Sequence, residues 1–274
     1  MPLPAQTQIH HLVSGANFQE GKSYNVIHSV LSAIKYFHSI SGFPLDNSSL
    51  IDHLTEAFKR VTSHKTSKKL SLTVKDLKSA VIWLDSKQTL KDLRTKVIML
   101  ISFAAFLRFS ECQNLRRSDI KLFSKYAMFF VEKSKTDTYR DGHWVCIARL
   151  KSELCPIRNL EELLRTSIDE SSNEFIFRAI MCSKKKQILR QKDNPISYST
   201  IRDEFKSMLK GINLNPSLYG LHSLRSGGAS AAANLGVRDR LIKNHGRWKS
   251  EGVKDRYISE DLKNLLFVSR NLGL

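Results

Sequence analysis

Two short strings of the sequence carry side chains that suit chemistry at a phosphate group. In FLRFSE, Arg108 and Glu111 lie three residues apart, so on a helix they share one face and the carboxylate can orient the guanidinium. In HSLR, His222 and Arg225 have the same spacing and would face one point. The planar fork of arginine suits paired contacts with the non-bridging oxygens of a phosphodiester. Taken alone, an Arg–Glu pair of this kind is usually a surface salt bridge.

A third string, GRWKSEGVKDRYI, places Trp248 and Tyr257 nine residues apart in a stretch rich in cations. The small residues GGASAAA that follow HSLR permit close packing of a helix or close approach of a backbone. Considered alone, Trp248 is explained equally well as a packed core residue. Arg247 of this string is interpreted as a DNA-contacting residue.

The order of these residues resembles the tyrosine recombinase (phage integrase) family. The catalytic domain of that family carries an arginine, a lysine on a β-hairpin, a His-x-x-Arg motif, a His or Trp, and a nucleophilic tyrosine. FLRFSE matches the first arginine motif, HSLR the second, and the spacing from Trp248 to Tyr257 the third. The resemblance spans roughly residues 70 to 258 in motif order.

The resemblance implies metal-independent cleavage and rejoining of DNA. Tyr257 would attack the scissile phosphate and hold the 3′ end as a phosphotyrosine, so that rejoining needs no nucleotide cofactor. A free tyrosine has a pKa of about 10 and needs help at neutral pH, which the family pattern assigns to His222 as the base. Arg108 and Arg225 would bind the non-bridging oxygens, on which charge grows in the transition state.

The family's lysine lies on a β-hairpin, and VEKSKTDTYRDGHWV offers two candidates. The SKTD form of the motif favours Lys135 as the proton donor to the leaving oxygen, with Lys133 as the alternative. Trp248 would give an indole N–H to the phosphate while packing against the tyrosine segment, and Glu111 would orient Arg108. His245 lies twelve residues before Tyr257 rather than nine, and is interpreted as structural or DNA-contacting.

The charge of the chain indicates a polyanionic partner. Its 274 residues include 44 Lys and Arg against 26 Asp and Glu, a formal net charge of +18. A basic surface binds a phosphate backbone by releasing counterions, which favours nucleic acid over a membrane, although charge that only aids solubility is the alternative. The family resemblance implies that the partner is double-stranded DNA and that there is no small-molecule substrate. With no HExxH motif and no carboxylate cluster, neither a metal nor another cofactor is predicted.

One basic run leaves several interpretations open. The string SKKKQILRQK includes Lys184, Lys185 and Lys186 and no acidic residue. It is interpreted as a DNA-contacting loop, a nuclear address or a solvated loop. The longest apolar run, Val97 to Leu107, is too short to cross a membrane. The start, MPLPAQTQIHH, does not have the pattern of a secretory signal, so the protein is expected inside the cell. The SKTD and GRWKS forms resemble eukaryotic mobile-element members, which favours the nucleus.

Periodicity and capping signals predict a mainly α-helical protein with a small antiparallel β-sheet, an α+β fold. The polar stretch VTSHKTSKK separates a partial helical core-binding domain, residues 1–69, from a catalytic domain, residues 70–274. Thr73 and Asp76 have capping-box spacing. Helices are expected at 23–41, 49–61, 90–107, 199–210, 222–235, 238–245 and 253–258, and strands at 126–133 and 143–148.

The family resemblance also implies a homo-tetramer that brings two DNA sites together. In the C-terminal segment, Leu262, Leu265 and Leu266 would supply an apolar face for a neighbouring subunit. The first domain shows about two helices where the family usually has four or more. Two alternatives therefore stay open: a DNA-binding protein derived from a recombinase that is no longer catalytic, and an enzyme that acts like a type IB topoisomerase.

Overall fold

A computed structural model describes residues 20, 22–42, 49–61, 68–132, 142–167, 173–183, 186–190, 192–262 and 264–266. The chain divides into two compact units, Met1–Lys68 and Lys69–Leu274. Within the described ranges, no helix is long and apolar enough to span a membrane. Helices predominate and the sheets are small and antiparallel, which confirms the predicted fold class.

The first unit contains two helices in its described part, α1 (Tyr24–Ile40) and α2 (Ser49–Val61). Both were predicted, and α1 ends just before Gly42, whose positive φ of 79° suits a residue without a side chain. Ile27 and Leu31 are buried along one stripe of α1. That this unit is a partial core-binding domain stays a prediction.

The second unit begins with α3 (Val74–Asp85) and the central helix α4 (Leu90–Ala104). The predicted capping box is present, because Thr73 Oγ1 accepts the backbone N–H of Asp76 at 3.1 Å and Asp76 Oδ2 accepts that of Thr73 at 3.1 Å. Helix α4 is the most buried element, and α3, α6 (Pro156–Ser167), α7 (Tyr198–Gly211) and α8 (His222–Asn234) pack around it.

The prediction of one helix over residues 90–107 is wrong at its end. Helix α4 stops at Ala104, and Arg108 is the N-cap of a separate short helix, α5 (Phe109–Gln113). The break is at Phe106, whose φ of 48° lies in the left-handed region that a helix cannot contain. The Arg108–Glu111 pair therefore lies at the start of a new helix rather than at the end of a long one.

A three-stranded antiparallel sheet follows, in the order β1 (Ile120–Leu122), β2 (Tyr126–Val131) and β3 (His143–Ala148). The predicted hairpin is therefore present, with Phe129 opposite Val145. Alternate side chains enter the core, as the two-residue period of a strand requires. The buried ones are Ile120, Ala127, Phe129, Val131, Val145 and Ile147.

Besides β1 and α5, the sequence did not predict α6 or the hairpin of β4 (Ile180–Ser183) and β5 (Lys186–Leu189). The loop interpretation of the basic run is wrong for its centre, because residues 186–189 pair with β4. Lys184 and Lys185 lie outside the described residues.

The C-terminal part continues with α7, α8, α9 (Asp239–Gly246) and α10 (Glu251–Asp255). The first three were predicted within a residue or two of their bounds. The prediction for 253–258 is wrong in position, because α10 ends at Asp255 and Tyr257 lies in the turn after it. Beyond it, Leu262 and Leu265 are exposed, and their contact with a neighbouring subunit stays a prediction.

Two adjacent glycines bring α8 against the backbone of other elements. A Cβ atom at Gly227 would lie 2.1 Å from the carbonyl oxygen of Leu72, and one at Gly228 would lie 2.1 Å from that of Phe103. Real Cβ atoms do not approach so closely, so a larger residue would displace the backbone at Leu72, before α3, or at Phe103, in α4. The small residues after HSLR therefore serve the close packing that the sequence indicated.

Gly228→Ala is expected to destabilise the protein by about 1–3 kcal/mol, the usual range for overpacking a close-packed site. The added Cβ would collide with Phe103 and with the Phe106 ring, 2.7 Å away. Gly252→Ala is the matched control, because nothing lies within 4 Å of a Cβ atom there. Urea unfolding compares the free energies of unfolding, and equal values for the two variants would contradict the packing argument.

Candidate active site

The carboxylate of Glu111 lies at the centre of a buried cluster of arginines. Its Oε1 accepts Nη1 of Arg108 at 2.6 Å, and its Oε2 accepts the backbone N–H of Arg108 at 2.9 Å. Oε2 also accepts Nη2 of Arg247 at 2.7 Å and lies 3.6 Å from Nη1 of Arg225. The Glu111 side chain is only 2% exposed. The predicted pairing of Glu111 with Arg108 is thus present, and two further arginines share the same acid.

The turn that follows α4 provides a second set of acceptors. The carbonyls of Ala104, Ala105 and Phe106 leave the helical pattern where α4 ends, and the C-terminal end of a helix carries partial negative charge. His245 Nε2 bonds the Ala104 oxygen at 2.8 Å, and Arg247 Nη1 bonds the Ala105 oxygen at 3.2 Å. The C-terminal segment therefore caps α4 with its own side chains.

The Phe106 carbonyl joins the two arginine motifs. It accepts Nη1 of Arg225 and, at 3.2 Å, Nη2 of Arg247. Arg225 Nη2 also donates to the Gly246 carbonyl at 2.6 Å. Arg225 is fully buried, and burial together with the charge of Arg108 lowers its pKa to about 10, which leaves it cationic at neutral pH.

Tyr257 and Trp248 lie against Arg225. The guanidinium carbon of Arg225 lies 5.1 Å from the centroid of the Tyr257 ring and 4.8 Å from that of Trp248. The centroids of the Tyr257 and Trp248 rings are 5.1 Å apart, and the centroid of the His222 ring lies 5.0 Å from that of Tyr257. The structure therefore brings together five predicted residues: Arg108, His222, Arg225, Trp248 and Tyr257.

The environment of the His222 ring holds its pKa below the ordinary value for histidine. Partial withdrawal of the ring from water is the largest cause, and the charges of Arg225 and Arg108 add to it, although Glu111 acts in the opposite direction. The ring still has an exposed surface. At neutral pH, His222 is therefore in the neutral form that can accept a proton.

Trp248 is 4% exposed and packs on Phe106, with the two ring centroids 6.1 Å apart. Its indole Nε1 is buried and finds no hydrogen-bond partner within the described residues. The predicted packing against the tyrosine segment is present. The predicted hydrogen bond from the indole to a phosphate stays a prediction.

The short segment that carries Tyr257 is fixed on both sides. Before it, Lys254 is buried and its Nζ lies 2.8 Å from Asp239 and 3.0 Å from Glu251, which ties α10 to α9. At the tyrosine, Ser230 Oγ of α8 donates to the Tyr257 carbonyl at 3.3 Å and accepts the N–H of Ser259 at 2.9 Å. The sequence did not reveal these ties, because acids and hydroxyls of this kind are also common on surfaces.

Four predicted residues lie outside the described residues, namely Lys135, its alternative Lys133, Lys184 and Lys185. Lys186 lies in β5, and its DNA contact stays a prediction, as do those of Lys184 and Lys185.

Arg247 and His245 make internal contacts that the sequence did not predict. The Arg247 side chain is only 6% exposed, so its guanidinium faces Glu111 and backbone carbonyls rather than the surface. His245 packs edge-on against Phe106 with ring centroids 4.7 Å apart, in line with the structural interpretation. Burial lowers the pKa of His143, the first residue of β3, and the charge of Arg247 lowers it further.

This arrangement can neutralise an anion beside a tyrosine and a histidine. The model of the phage integrase family matches residues 71–263, well over half of the chain. The chain belongs to the phage integrase family. The motif resemblance of Arg108, His222, Arg225, Trp248 and Tyr257 therefore falls within the matched region of this family.

Individual phage integrase relatives agree with the family match. The integrase/recombinase xerD homolog of Selenomonas ruminantium is 28% identical over 175 residues, which cover 64% of this chain and 49% of the relative. The chain thus spans about half the length of that curated relative.

Two solved structures show the same fold. The Tn1549 transposon integrase in complex with transposon right end DNA has a TM-score of 0.65 at 15% identity, covering 100% of this chain and 88% of that one. A lambda integrase dimer bound to a COC′ core site has a TM-score of 0.60 at 18% identity, covering 94% and 66%. At these identities the likeness concerns the fold.

Glu111→Gln is expected to destabilise the protein by about 3 kcal/mol at neutral pH, because it leaves buried arginines without their anion. Burial raises the pKa of Glu111, but the charge of Arg247, the N–H of Arg108 and the charges of Arg225 and Arg108 outweigh it, so the pKa lies below 4.5. The stability is therefore present above the unfolded pKa and lost as pH falls through the folded one.

Urea unfolding at neutral pH and at successive values below 4.5 checks this expectation. The difference between wild type and Glu111→Gln should shrink on acidification. Glu153→Gln, at an exposed position, is the control and should match the wild type throughout. A difference that stays constant with pH would show that the ionised carboxylate is not what stabilises the cluster.

Proposed function

We propose that this protein is a site-specific DNA recombinase that cleaves and rejoins strands through a covalent 3′-phosphotyrosine at Tyr257. The observation that carries the proposal is the convergence of Arg225, His222 and Tyr257, with the tyrosine ring 5.1 Å from the guanidinium carbon and 5.0 Å from the imidazole. The net charge of +18 and the DNA-bound integrases of the same fold support duplex DNA as the substrate.

In the proposed step, the Tyr257 hydroxyl attacks the scissile phosphorus and its proton passes to His222. The bond from phosphorus to the 5′ oxygen breaks, and that oxygen takes a proton from Lys135. Arg108 and Arg225 bind the non-bridging oxygens as their charge grows. The reverse step, with a 5′ hydroxyl of another strand as the attacking group, releases the tyrosine, so no nucleotide or metal enters the balance.

The wider biological setting belongs to the same proposal. Residues 1–69 act as a partial core-binding domain, and four copies assemble on two DNA sites, with the C-terminal segment contacting a neighbour. The similar fold of a transposon integrase favours a role in a mobile element. In a eukaryotic cell, a chromosomal substrate would place the protein in the nucleus.

A nicked suicide substrate tests the proposal directly, because the nick lets the short cleaved end diffuse away and traps the covalent adduct. The substrate is built from the ends of the element that encodes the chain. Wild type is expected to form a denaturant-resistant protein–DNA adduct, and Tyr257→Phe, which keeps the ring but lacks the hydroxyl, should form none. A wild type without adduct that still binds this DNA would identify the alternative of an inactive DNA-binding protein.

The pH dependence of adduct formation tests the role of His222. Because the pKa of His222 lies below 6.5, the rate should hold at neutral pH and fall only at more acidic pH, as the base becomes protonated. His222→Ala should lower the rate by about 10²–10⁴-fold, the usual contribution of a general base. An acidic limb of the profile that persists unchanged in His222→Ala would assign it to another group.

A further inference from the structure

We infer that Arg247 is a positioning residue of this site, which holds Glu111 and the turn after α4 so that Arg108 and Arg225 present their guanidinium groups together. The inference rests on the proposed function and adds a third arginine to it. Arg247 is enclosed, with its side chain 6% exposed, so it acts through other protein groups rather than on DNA.

Arg247 contacts both Glu111 and the turn after α4, whose relative positions set where Arg108 and Arg225 lie. Nη2 donates to Glu111 Oε2 at 2.7 Å and to the Phe106 carbonyl at 3.2 Å, while Nη1 donates to Ala105 at 3.2 Å. Glu111 holds Arg108 through its other oxygen, and Phe106 holds Arg225. Arg247 therefore contacts both Glu111, which positions Arg108, and the Phe106 carbonyl, which positions Arg225.

The backbone at this position strengthens the argument. Arg247 is the C-cap of α9 and has a φ of 58° in the left-handed region, where glycine fits at lower conformational cost. A side chain at such a position persists when its contacts outweigh that cost. Here the contacts are the ion pair with Glu111 and the carbonyls at the end of α4.

The place of Arg247 in the chain also links its contacts with the turn after α4 to the proposed nucleophile, Tyr257. Trp248 follows directly in the chain, and its ring lies on both Phe106 and Tyr257. Anchoring Arg247 to the turn at 104–106 therefore fixes where the Trp248 ring lies and, through it, the Tyr257 ring. A small displacement of such supports lowers reaction rates strongly, since reacting groups must meet in a defined geometry.

The test compares Arg247→Gly, Arg247→Lys and the control Arg240→Ala in the full chain. Glycine suits the left-handed backbone, so Arg247→Gly removes the side chain without straining the cap. Arg240 is an exposed residue of α9, the helix that Arg247 caps. Arg240→Ala removes one positive charge, as Arg247→Gly does. Thermal melting confirms that each variant is folded before its activity is compared.

With the suicide substrate at saturating protein, Arg247→Gly should slow cleavage by about 10–100-fold, the order expected for misplacement of reacting groups, with little change in the Kd for DNA. Arg247→Lys keeps the charge but not the fork, and should restore part of the rate. Arg240→Ala should cleave like the wild type. A loss in Arg247→Gly that lies only in Kd would overturn the inference, since it would make Arg247 a DNA contact.

A second measurement needs no activity and separates the inference from the proposed function. NMR titration of carboxyl-labelled protein follows the pKa of Glu111, which Arg247 lowers together with Arg225 and Arg108. Arg247→Gly should raise it and Arg240→Ala should not. An unchanged Glu111 pKa overturns the role of Arg247, whereas a wild type that forms no adduct overturns the recombinase proposal alone.

Discussion

A buried carboxylate is costly unless cations and hydrogen-bond donors surround it, and Glu111 meets this condition by gathering Arg108, Arg225 and Arg247. Equally, three guanidinium groups could not lie so close together without an anion between them. The acid and the arginines therefore depend on one another, and neither part of the cluster is stable alone. The predicted phosphate-binding groups are thus placed by an ion cluster formed by the protein's own side chains.

The end of helix α4 gives this cluster its frame. Phe106 turns the chain out of the helix, and the freed carbonyls at 104–106 accept hydrogen bonds from His245, Arg247 and Arg225. Gly228 lets α8 approach that turn closely enough for Arg225 to reach it. These three features, the helix end, the close helix packing and the charged cluster, depend on one another. A substitution in one of them would therefore displace the other two.

Much of the site could be predicted because its motifs are local. Arg108 and Glu111 meet through spacing of three residues, and Thr73 caps its helix through the same spacing. The end of α4 could not be predicted, since an apolar run gives no stop signal and Phe106 is an unusual residue at positive φ. The enclosure of Arg247 was also hidden, because its partner Glu111 is 136 residues away. Helix α6 was missed although Pro156 at its first position is a start signal.

The hydrogen bonds that hold the tyrosine segment bear on which subunit of the proposed assembly would supply the attacking tyrosine. Ser230 and Asn234, both on α8, bond the backbone of Tyr257 and Ser259, and α8 also carries His222 and Arg225. In the proposed reaction, the nucleophile Tyr257 is thus held against the helix that carries the base His222 and Arg225, all within one polypeptide. In the proposed reaction, the attacking tyrosine would therefore come from the same subunit as the arginines that hold the phosphate.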